Sequence, residues 1–538
     1  MRKSAVPRLC LMLALGVWVG LMWAGCGGAW DGVEEVRIGP LHGFMQQTAV
    51  SDNGWHLAYA TQSGERSVLV VDGVAGPEHD SIGGIVFSPD GQRVAYTACE
   101  GRKRFVVVDG VAGPEHDAIE TNSPLFSPDG QRVAYTACEG RKWFVVVDGM
   151  AGPKYDAIGD YLAHIPVFSP DSKRVAYIAR KGRRSVVVVD DVAGPEYVNA
   201  SGVVFSADGK HLAYVGGKTA GTCVVVDGVP GVAYESVSGL VLSPDGERVA
   251  YAAMDGRHEL VVVDGVAGPG YERVHDVAFS PDGKLLAYSG WDGEKHVVVV
   301  EGVAGQEYDH ISGLVFSPDS KRVAYAAKKK GKWVVVVDGV EGDEYDAYGE
   351  ASIVFSPDGK RMAYVAQDGE KLVVVVDGVA GPEYNRIGGL VSQPDGKRVA
   401  YVATEDAKMF VVLDCGIGPR YCGVGGGECV FSSDSKRVAY EAWQGETRVL
   451  VVDGVAGPAY DDIFAGGCVF SPDGKRVAYG AGTMEEHGTQ WRVVVDGVAG
   501  PEYDAIIQNG PSFHKDGVLE YLAHRDRVLY RVKHHPFQ

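Results

Sequence analysis

The sequence predicts an all-β fold built from about thirteen copies of one four-stranded unit, and three observations lead to this prediction. The motif Phe-Ser-Pro-Asp-Gly, or a variant of it, occurs thirteen times. The tyrosine after each motif returns at steps of 37, 39 or 42 residues. No segment has the 3.6-residue hydrophobic period of an amphipathic helix. Short strands are therefore the expected regular elements of every copy.

Residues 354–387 show how one copy divides into strands. They contain VFSP, RMAYVA, KLVVVVD and EYNRI, which we assign as strands a, b, c and d. Residues 357–359 (PDG) favour a tight turn between a and b, because each residue suits a turn position. Residues 377–382 (DGVAGP) favour a second hairpin between c and d. The nearly continuous valines of strand c predict a strand that is covered on both faces.

Four short strands every 37 to 42 residues, with both sheet faces apolar, predict blades that stack around an axis in a β-propeller. A single propeller usually has four to eight blades. Thirteen copies therefore favour two tandem six- or seven-bladed propellers, and we place them at 49–314 and 315–538. The last copy lacks strand d, which we expect residues 33–38 to supply as an N-terminal closing strand.

The decapeptide at 470–479, Phe-Ser-Pro-Asp-Gly-Lys-Arg-Val-Ala-Tyr, resembles the repeat of TolB-like and WD40-like bacterial propellers. The resemblance extends over residues 49–532. It implies the propeller fold, and a TolB-like protein would be a subunit of a trans-envelope complex. Because propellers serve as enzymes, scaffolds and binding modules, the resemblance does not by itself select a function.

Residues 1–25 have the layout of an export signal. Positive charges precede an apolar run of about 15 residues, which is shorter than the roughly 20 needed to span a bilayer. Ala24-Gly25-Cys26 resembles a bacterial lipobox, which implies lipidation of Cys26 and a tether at 26–48. We therefore expect an exported protein anchored to a bacterial membrane, namely the outer membrane on its periplasmic or surface side. A plain cleaved signal is the alternative.

The chain carries 51 basic and 71 acidic side chains, a net charge of −20, which disfavours bulk nucleic-acid binding. Loops b–c and d–a lie at one end of each blade and carry most of the variation between copies. We call this end the variable face and expect it to bind partners. Its basic sector would meet an envelope protein or an anionic glycan. The basic sector consists of Arg102, Lys103, Arg104, Arg141, Lys142, Arg180, Lys181, Arg183, Arg184, Lys328, Lys329, Lys330 and Lys332.

Other residues of the variable face are candidates for contact or ligand binding. Trp143, Trp291 and Trp333 lie beside the basic loops and would anchor a partner, with packing between blades as the alternative. Asp160, Tyr161 and His164 form a long d–a loop, and Glu485, Glu486 and His487 a long b–c loop. Neutral drift of solvated loops would explain the same variation. We assign no metal site and no cofactor.

Six cysteines of the repeats are candidates for disulfides in an oxidising compartment. Cys99 and Cys138 occupy the same position in adjacent copies, as do Cys429 and Cys468, and Cys415 and Cys422 lie in one copy with Cys429. Buried free thiols are the alternative, since cysteine packs well as a small apolar residue.

The sequence thus favours a non-catalytic, membrane-anchored propeller that acts as a protein- or glycan-binding scaffold in the cell envelope. No hydrolase, nucleotide-binding or zinc-protease motif is found, and we assign no catalytic residue. Two alternatives remain open. One is a glycan hydrolase or lyase with its site in the propeller funnel, and the other is a TolB-like subunit of a trans-envelope complex.

Overall fold

The computed structural model describes residues 32–40, 47–121, 123–159, 166–349, 353–414, 416–425, 429–486, 488–507 and 510–535. Throughout these ranges the regular elements are β-strands, and no helix capable of crossing a bilayer occurs among them. The strands form thirteen sheets. This confirms the predicted all-β propeller of thirteen four-stranded blades.

The four strand positions of the blades have the following bounds. Strands a of blades 1 to 13 are Gln47–Val50, Ser81–Phe87, Ala118–Ile119 with Leu125–Phe126, Ala157–Ile158 with Val167–Phe168, Asn199–Phe205, Ser236–Leu242, Arg273–Phe279, His310–Phe316, Ala347–Tyr348 with Val354–Phe355, Arg386–Ser392, Gly423–Val424 with Val430–Phe431, Asp462–Phe470, and Ala505–Ile506 with Ser512–Phe513. Strands b are Leu57–Ser63, Val94–Glu100, Val133–Glu139, Val175–Lys181, Leu212–Lys218, Val249–Asp255, Leu286–Trp291, Val323–Lys329, Met362–Asp368, Val399–Glu405, Val438–Gln444, Val477–Glu485 and Leu519–Arg525. Strands c are Arg66–Val71, Lys103–Val108, Lys142–Val147, Arg184–Val189, Gly221–Val226, His258–Val263, His296–Val300, Lys332–Val337, Lys371–Val376, Lys408–Leu413, Thr447–Val452, Gly488–Val495 and Val528–His534. Strands d are Val74–His79, Val111–Ala112, Met150–Ala151, Val192–Tyr197, Val229–Tyr234, Val266–Tyr271, Val303–Tyr308, Val340–Glu341, Val379–Tyr384, Gly416–Ile417, Val455–Tyr460, Val498–Ala499 and, for blade 13, Val33–Pro40.

Within each blade the strands pair antiparallel in the order a, b, c, d. Strands a of successive blades contact one another, as in blades 5, 6 and 7, so they form the inner ring of the fold. Strand d is the outer edge, and its first residue is open to solvent, as Val266 is at 72% exposure. Strands b and c are buried along both faces, which is the burial that the valine runs predict.

The a–b turn is held by the repeated serine and aspartate. In blade 9 the buried Ser356 hydroxyl donates to Asp358 Oδ1 at 2.6 Å and accepts from the Arg361 backbone N–H at 2.9 Å. Gly359 completes the turn with φ of 71°, a conformation that glycine adopts without strain. These side chains satisfy the polar backbone groups of a buried turn, which explains why the motif is copied from blade to blade.

The c–d turn has two residues, Asp-Gly in most blades. In blade 9 both central residues have positive φ, 50° at Asp377 and 81° at Gly378, as a type I′ hairpin turn requires. Asp377 Oδ1 also accepts the backbone N–H of Met362 at 2.9 Å, which joins the turn to the start of strand b. The turns that the sequence predicts are therefore present, and their aspartates are structural.

Among the described residues the core is divided into thirteen clusters, and each cluster joins two neighbouring blades. One example unites Ala134 and Val145 of blade 3 with Tyr177 and Val186 of blade 4. Tyrosines of strands d and b meet edge to face in many of these clusters, at 6.4 Å between ring centroids for Tyr345 and Tyr364. Two blades have a histidine at the strand-d position instead. The buried His79 and His116 lie 6.0 and 5.8 Å from Tyr96 and Tyr135.

The chain ends close the ring. Val33–Pro40 pairs antiparallel with Val528–His534 and supplies the fourth strand of blade 13, in the place expected for residues 33–38. Blade 13 then packs on blade 1 through one cluster that contains Leu522, Leu529, Leu57 and Tyr59. Since the first and last blades touch, the series of blades returns to its start.

The packing differs from the division into two tandem propellers. At the boundary expected near residue 314, Val298 of blade 7 and Tyr325 of blade 8 share a core cluster with Tyr308 and Ile311, as at every other interface. Two rings would each need a closing contact between blades far apart in sequence. In the described ranges, the only core cluster of that kind joins blades 13 and 1. The contacts therefore form one series of thirteen blades, because the interface at the expected boundary is packed like the others.

Candidate functional site

The face that carries the a–b and c–d turns, here the repeated face, uses its charged side chains to join blades. In blade 3, Arg132 Nε donates to Asp148 Oδ2 at 2.9 Å. Its Nη1 donates to the Lys173 carbonyl oxygen of blade 4 at 2.7 Å, and its guanidinium lies 5.6 Å from the centroid of Phe168 in the same blade. Each arginine of this kind therefore links its own hairpin to the next blade, which leaves little charge for a ligand.

The variable face contains a different repeated contact, in which an aspartate after strand d joins two b–c hairpins. Asp117 Oδ1 lies 2.8 Å from Lys103 Nζ of blade 2, and its Oδ2 accepts the Gly140 backbone N–H of blade 3 at 2.7 Å. The Lys103 hydrogen bond is the largest cause of the lowered pKa of Asp117. It is likewise the first cause of the raised pKa of Lys103.

Several lysines of the basic sector are engaged by this contact or by other contacts within the protein. Lys142 Nζ lies 2.6 Å from Asp156 Oδ1. Lys329 Nζ lies 3.0 Å from Glu341 Oε1. Lys328 Nζ lies over the Trp333 ring at 5.7 Å from its centroid, a cation–π contact. Lys103, Lys142, Lys328 and Lys329 are thus engaged within the protein, and the basic sector is narrower than the sequence suggests.

The arginines of the sector are the groups left for a partner. Arg102, Arg141 and Arg183 stand exposed at the b–c turns of blades 2, 3 and 4, and within the described ranges none has an acidic partner. Arg184 begins strand c where blades 2 and 3 have lysine, but the position after strand d is Val198 instead of aspartate. Its charge is therefore also unneutralised. Arg104 is exposed beside a cavity at the boundary of blades 2 and 3, and Lys330 is exposed at the turn of blade 8.

The tryptophans are mostly packed between blades. The half-buried Trp291 ring stacks on His296 with 6.1 Å between centroids. His296 and His310 are 5.0 Å apart, and His310 meets Trp333 at 5.7 Å. These rings form a row across blades 7 and 8, and the histidines in it are not evident from sequence position alone. Trp143 is half-buried, and its backbone pairs with Tyr155 across the hairpin.

The cavity beside Arg104 has a volume of about 260 Å³. Its polar lining includes Gln47 of blade 1, Ser81 and Thr97 of blade 2, and Glu120 of blade 3. The sequence identifies Arg104 as a candidate but not these neighbours, because they come from three blades and belong to no motif. A polar cavity with an unneutralised cation can hold an anionic group.

Several predicted site residues lie outside the described ranges, namely Cys26, Asp160, Tyr161, His164, Cys415 and His487. Glu485 and Glu486 are exposed at the b–c turn of blade 12. Where the structure describes the chain, no group of three histidine, cysteine, aspartate or glutamate side chains is placed to hold a metal ion.

The predicted disulfides are absent from the part of the chain that is described. Cys99, Cys138, Cys422, Cys429 and Cys468 are free thiols. Burial raises the pKa values of Cys429 and Cys468 to about 12, so these two thiols behave as apolar core atoms. These residues therefore fit the free-thiol alternative, since equal positions in adjacent blades need not bring two sulfur atoms into bonding geometry.

Comparison with known proteins finds one family match and several similar structures. The WD domain, G-beta repeat family (WD40) matches residues 267–294, in blades 6 and 7. A structure described as the eukaryotic initiation factor is 14% identical, with a TM-score of 0.31, over 70% of this chain and 97% of that one. For the Dos1 propeller the values are 12% and 0.27, over 56% of this chain and 92% of that one. For TolB from Acinetobacter baumannii they are 16% and 0.21, over 55% and 79%. No curated protein sequence matches the chain.

The blade architecture is that of a β-propeller, and the match at residues 267–294 makes one of its repeats similar to the WD40 repeat.

Proposed function

We propose that this protein is a non-catalytic interaction scaffold that binds a partner through its variable face, exported and held at a bacterial membrane by a lipid on Cys26. The observation that carries the binding role is the contrast between the two faces. Arginines of the repeated face, such as Arg132, bond the next blade, whereas Arg102, Arg141 and Arg183 stand unneutralised at three successive turns. Unpaired guanidinium groups in a row favour an anionic partner surface.

The binding role is tested by crosslinking the tagged protein in native envelopes and identifying what is captured. The variant has Arg102, Arg141 and Arg183 changed to glutamate. The control is Arg257→Glu, which alters the same turn position in blade 6, away from the row. If the scaffold proposal is right, one dominant partner protein is captured by the unaltered protein and by the Arg257→Glu control but not by the triple variant. Equal capture by both variants would contradict it, and enrichment of a glycan without protein would support the hydrolase or lyase alternative.

The membrane anchor is tested separately by Cys26→Ser. Lipidation of a single cysteine is expected to hold the protein at the membrane until detergent is added. The variant should therefore move to the soluble fraction, while the unaltered protein stays with membranes. Unchanged membrane retention of the variant would overturn the anchor and leave the binding role in place.

A further inference from the structure

The cavity at the boundary of blades 2 and 3 contains an arginine that lacks the partners its equivalent has elsewhere in the ring. Arg104 and Arg448 are both the second residue of a strand c, opposite Cys99 and Trp443 respectively. Arg448 Nη1 lies 3.0 Å from Glu441 Oε1 and 3.0 Å from Asp462 Oδ1. The position is therefore able to hold a guanidinium between two carboxylates.

The boundary of blades 2 and 3 has neither of these carboxylates. The residue two places before Cys99 is Thr97, where blade 11 has Glu441. The first residue of the following strand a is Ala118, where blade 12 has Asp462. In the described part of the chain no acidic side chain pairs with Arg104, and an open volume of about 260 Å³ lies beside it. The blade therefore offers an unneutralised cation and empty space at one position.

The remaining lining gives this space the character of an anion site. The side chains of Gln47 and Ser81 can donate hydrogen bonds to an oxygen anion. The Thr97 hydroxyl already donates to the Gly83 carbonyl oxygen at 2.7 Å. Glu120 also lines the cavity and opposes an anion, although its Oε1 already accepts the Thr121 backbone N–H at 3.1 Å. No aromatic ring is among the described lining residues, so no surface for stacking on a sugar ring is present. The small volume fits one side chain better than a larger ligand.

We propose that this cavity binds the carboxylate side chain of an acidic segment of a partner protein, with Arg104 as the residue that recognises the carboxylate. The inference rests on the proposed scaffold function and names the chemistry of the partner. A carboxylate of the partner protein would contact the Arg104 guanidinium as Glu441 and Asp462 contact that of Arg448. It would do so through charge-assisted hydrogen bonds. Arg102 and Arg141, at the turns on either side, extend the positive surface along the same segment.

The test uses a fluorescein-labelled peptide of six glutamates, with a six-glutamine peptide as the uncharged probe, and measures binding by anisotropy at low salt. Arg104→Gln should weaken binding of the glutamate peptide about tenfold, the loss expected for one charge-assisted contact. Glu120→Gln removes the opposing charge and should strengthen it severalfold. Arg448→Gln is the matched control, and it should leave binding unchanged because that guanidinium is already paired.

Equal binding of the glutamate peptide by the unaltered protein and Arg104→Gln would overturn the proposal, as would equal binding of the two peptides. Arg104-dependent binding of polygalacturonate, with no Arg104-dependent peptide binding, would assign the cavity to an acidic glycan and reject the protein segment. The envelope experiment separates this result from failure of the scaffold function. Capture that depends on Arg102, Arg141 and Arg183 but ignores Arg104 would retain the scaffold and reject the cavity.

Discussion

Ring closure between blades 13 and 1 can be tested by making a cavity at that interface. Leu529 is fully buried in the cluster that joins the two blades. Truncation to alanine removes buried methyl groups and leaves a space that the β-sheets fill poorly, which typically costs about 2 to 5 kcal/mol. Because each 1.4 kcal/mol is a factor of ten, local opening of this interface should become roughly a hundredfold more frequent. Leu450→Ala is the control, since Leu450 is equally buried between blades 11 and 12.

The assay is amide hydrogen exchange followed by mass spectrometry. Leu529→Ala should speed exchange in the closing strand, residues 33–40, which pairs with the strand that contains Leu529. Leu450→Ala should leave that strand protected and speed exchange in its own blades. If both variants affect residues 33–40 equally, or neither does, the closure inferred from the contacts is refuted.

Three further predictions concern turns, a buried histidine and the cysteines. Gly359→Ala should lower the free energy of unfolding, measured in urea, by about 2 to 4 kcal/mol, because at positive φ the added methyl group meets the Asp319 carboxylate of the neighbouring blade. The control Gly369→Ala also has positive φ but lies in open space, and it should cost about 1 kcal/mol. Equal losses in the two variants would contradict this packing. Burial lowers the pKa of His534 to about 4, so the unfolded state binds the proton more readily than the folded state. The free energy of unfolding should therefore fall by roughly 3 kcal/mol as the pH drops from about 6.5 to 4. His534→Phe should remove that part of the pH-dependent shift in the urea midpoint. Hydrogen bonds from the Gly445 backbone N–H and then from Lys408 lower the pKa of the exposed Cys422. Iodoacetamide at neutral pH should therefore label Cys422 well before the buried Cys468, as measured by peptide mapping. Labelling in the reverse order would disprove this prediction.

The blades could be predicted from sequence because their turns leave few conformational choices. In the c–d turn of blade 9, Asp377-Gly378 adopts the positive φ angles that this dipeptide favours. In the a–b turn of the same blade, the Ser356 hydroxyl bonds the turn aspartate. Departures from the pattern are accommodated without a new structure. Asp191 takes the place of the glycine and keeps a φ of 64°. Local preference and blade packing thus agree along the chain.

The state of the charges on the variable face could not be predicted from composition, because it depends on pairing across hairpins. Lys103 and Asp117 are 14 residues apart, as are Lys142 and Asp156, and this spacing is a signal that was missed. Arg184 lacks the partner because position 198 is valine. Arg104 needed the comparison with Arg448, since its missing partners come from two different blades.

The number of rings depends on long-range contacts rather than on the repeat. Copies of one unit can close after six, seven or thirteen blades, and the residues of each interface look alike. The usual limit of eight blades favoured two rings. The clusters at Val298 and Tyr325, and at Leu522 and Leu57, join the blades in one series instead.

The arginine contacts between neighbouring blades affect how easily such a chain can gain or lose repeat copies in evolution. Since Arg132 and its counterparts contact the following unit alone, a duplicated or deleted copy would meet neighbours with the same complementary surface at both of its sides. In a ring with a different number of blades, only the closing contact that residues 33–40 complete in the last blade must form again. Copy number is therefore a variable on which selection can act, while a single substituted arginine, such as Arg104, is enough to give one blade a task that the others do not share.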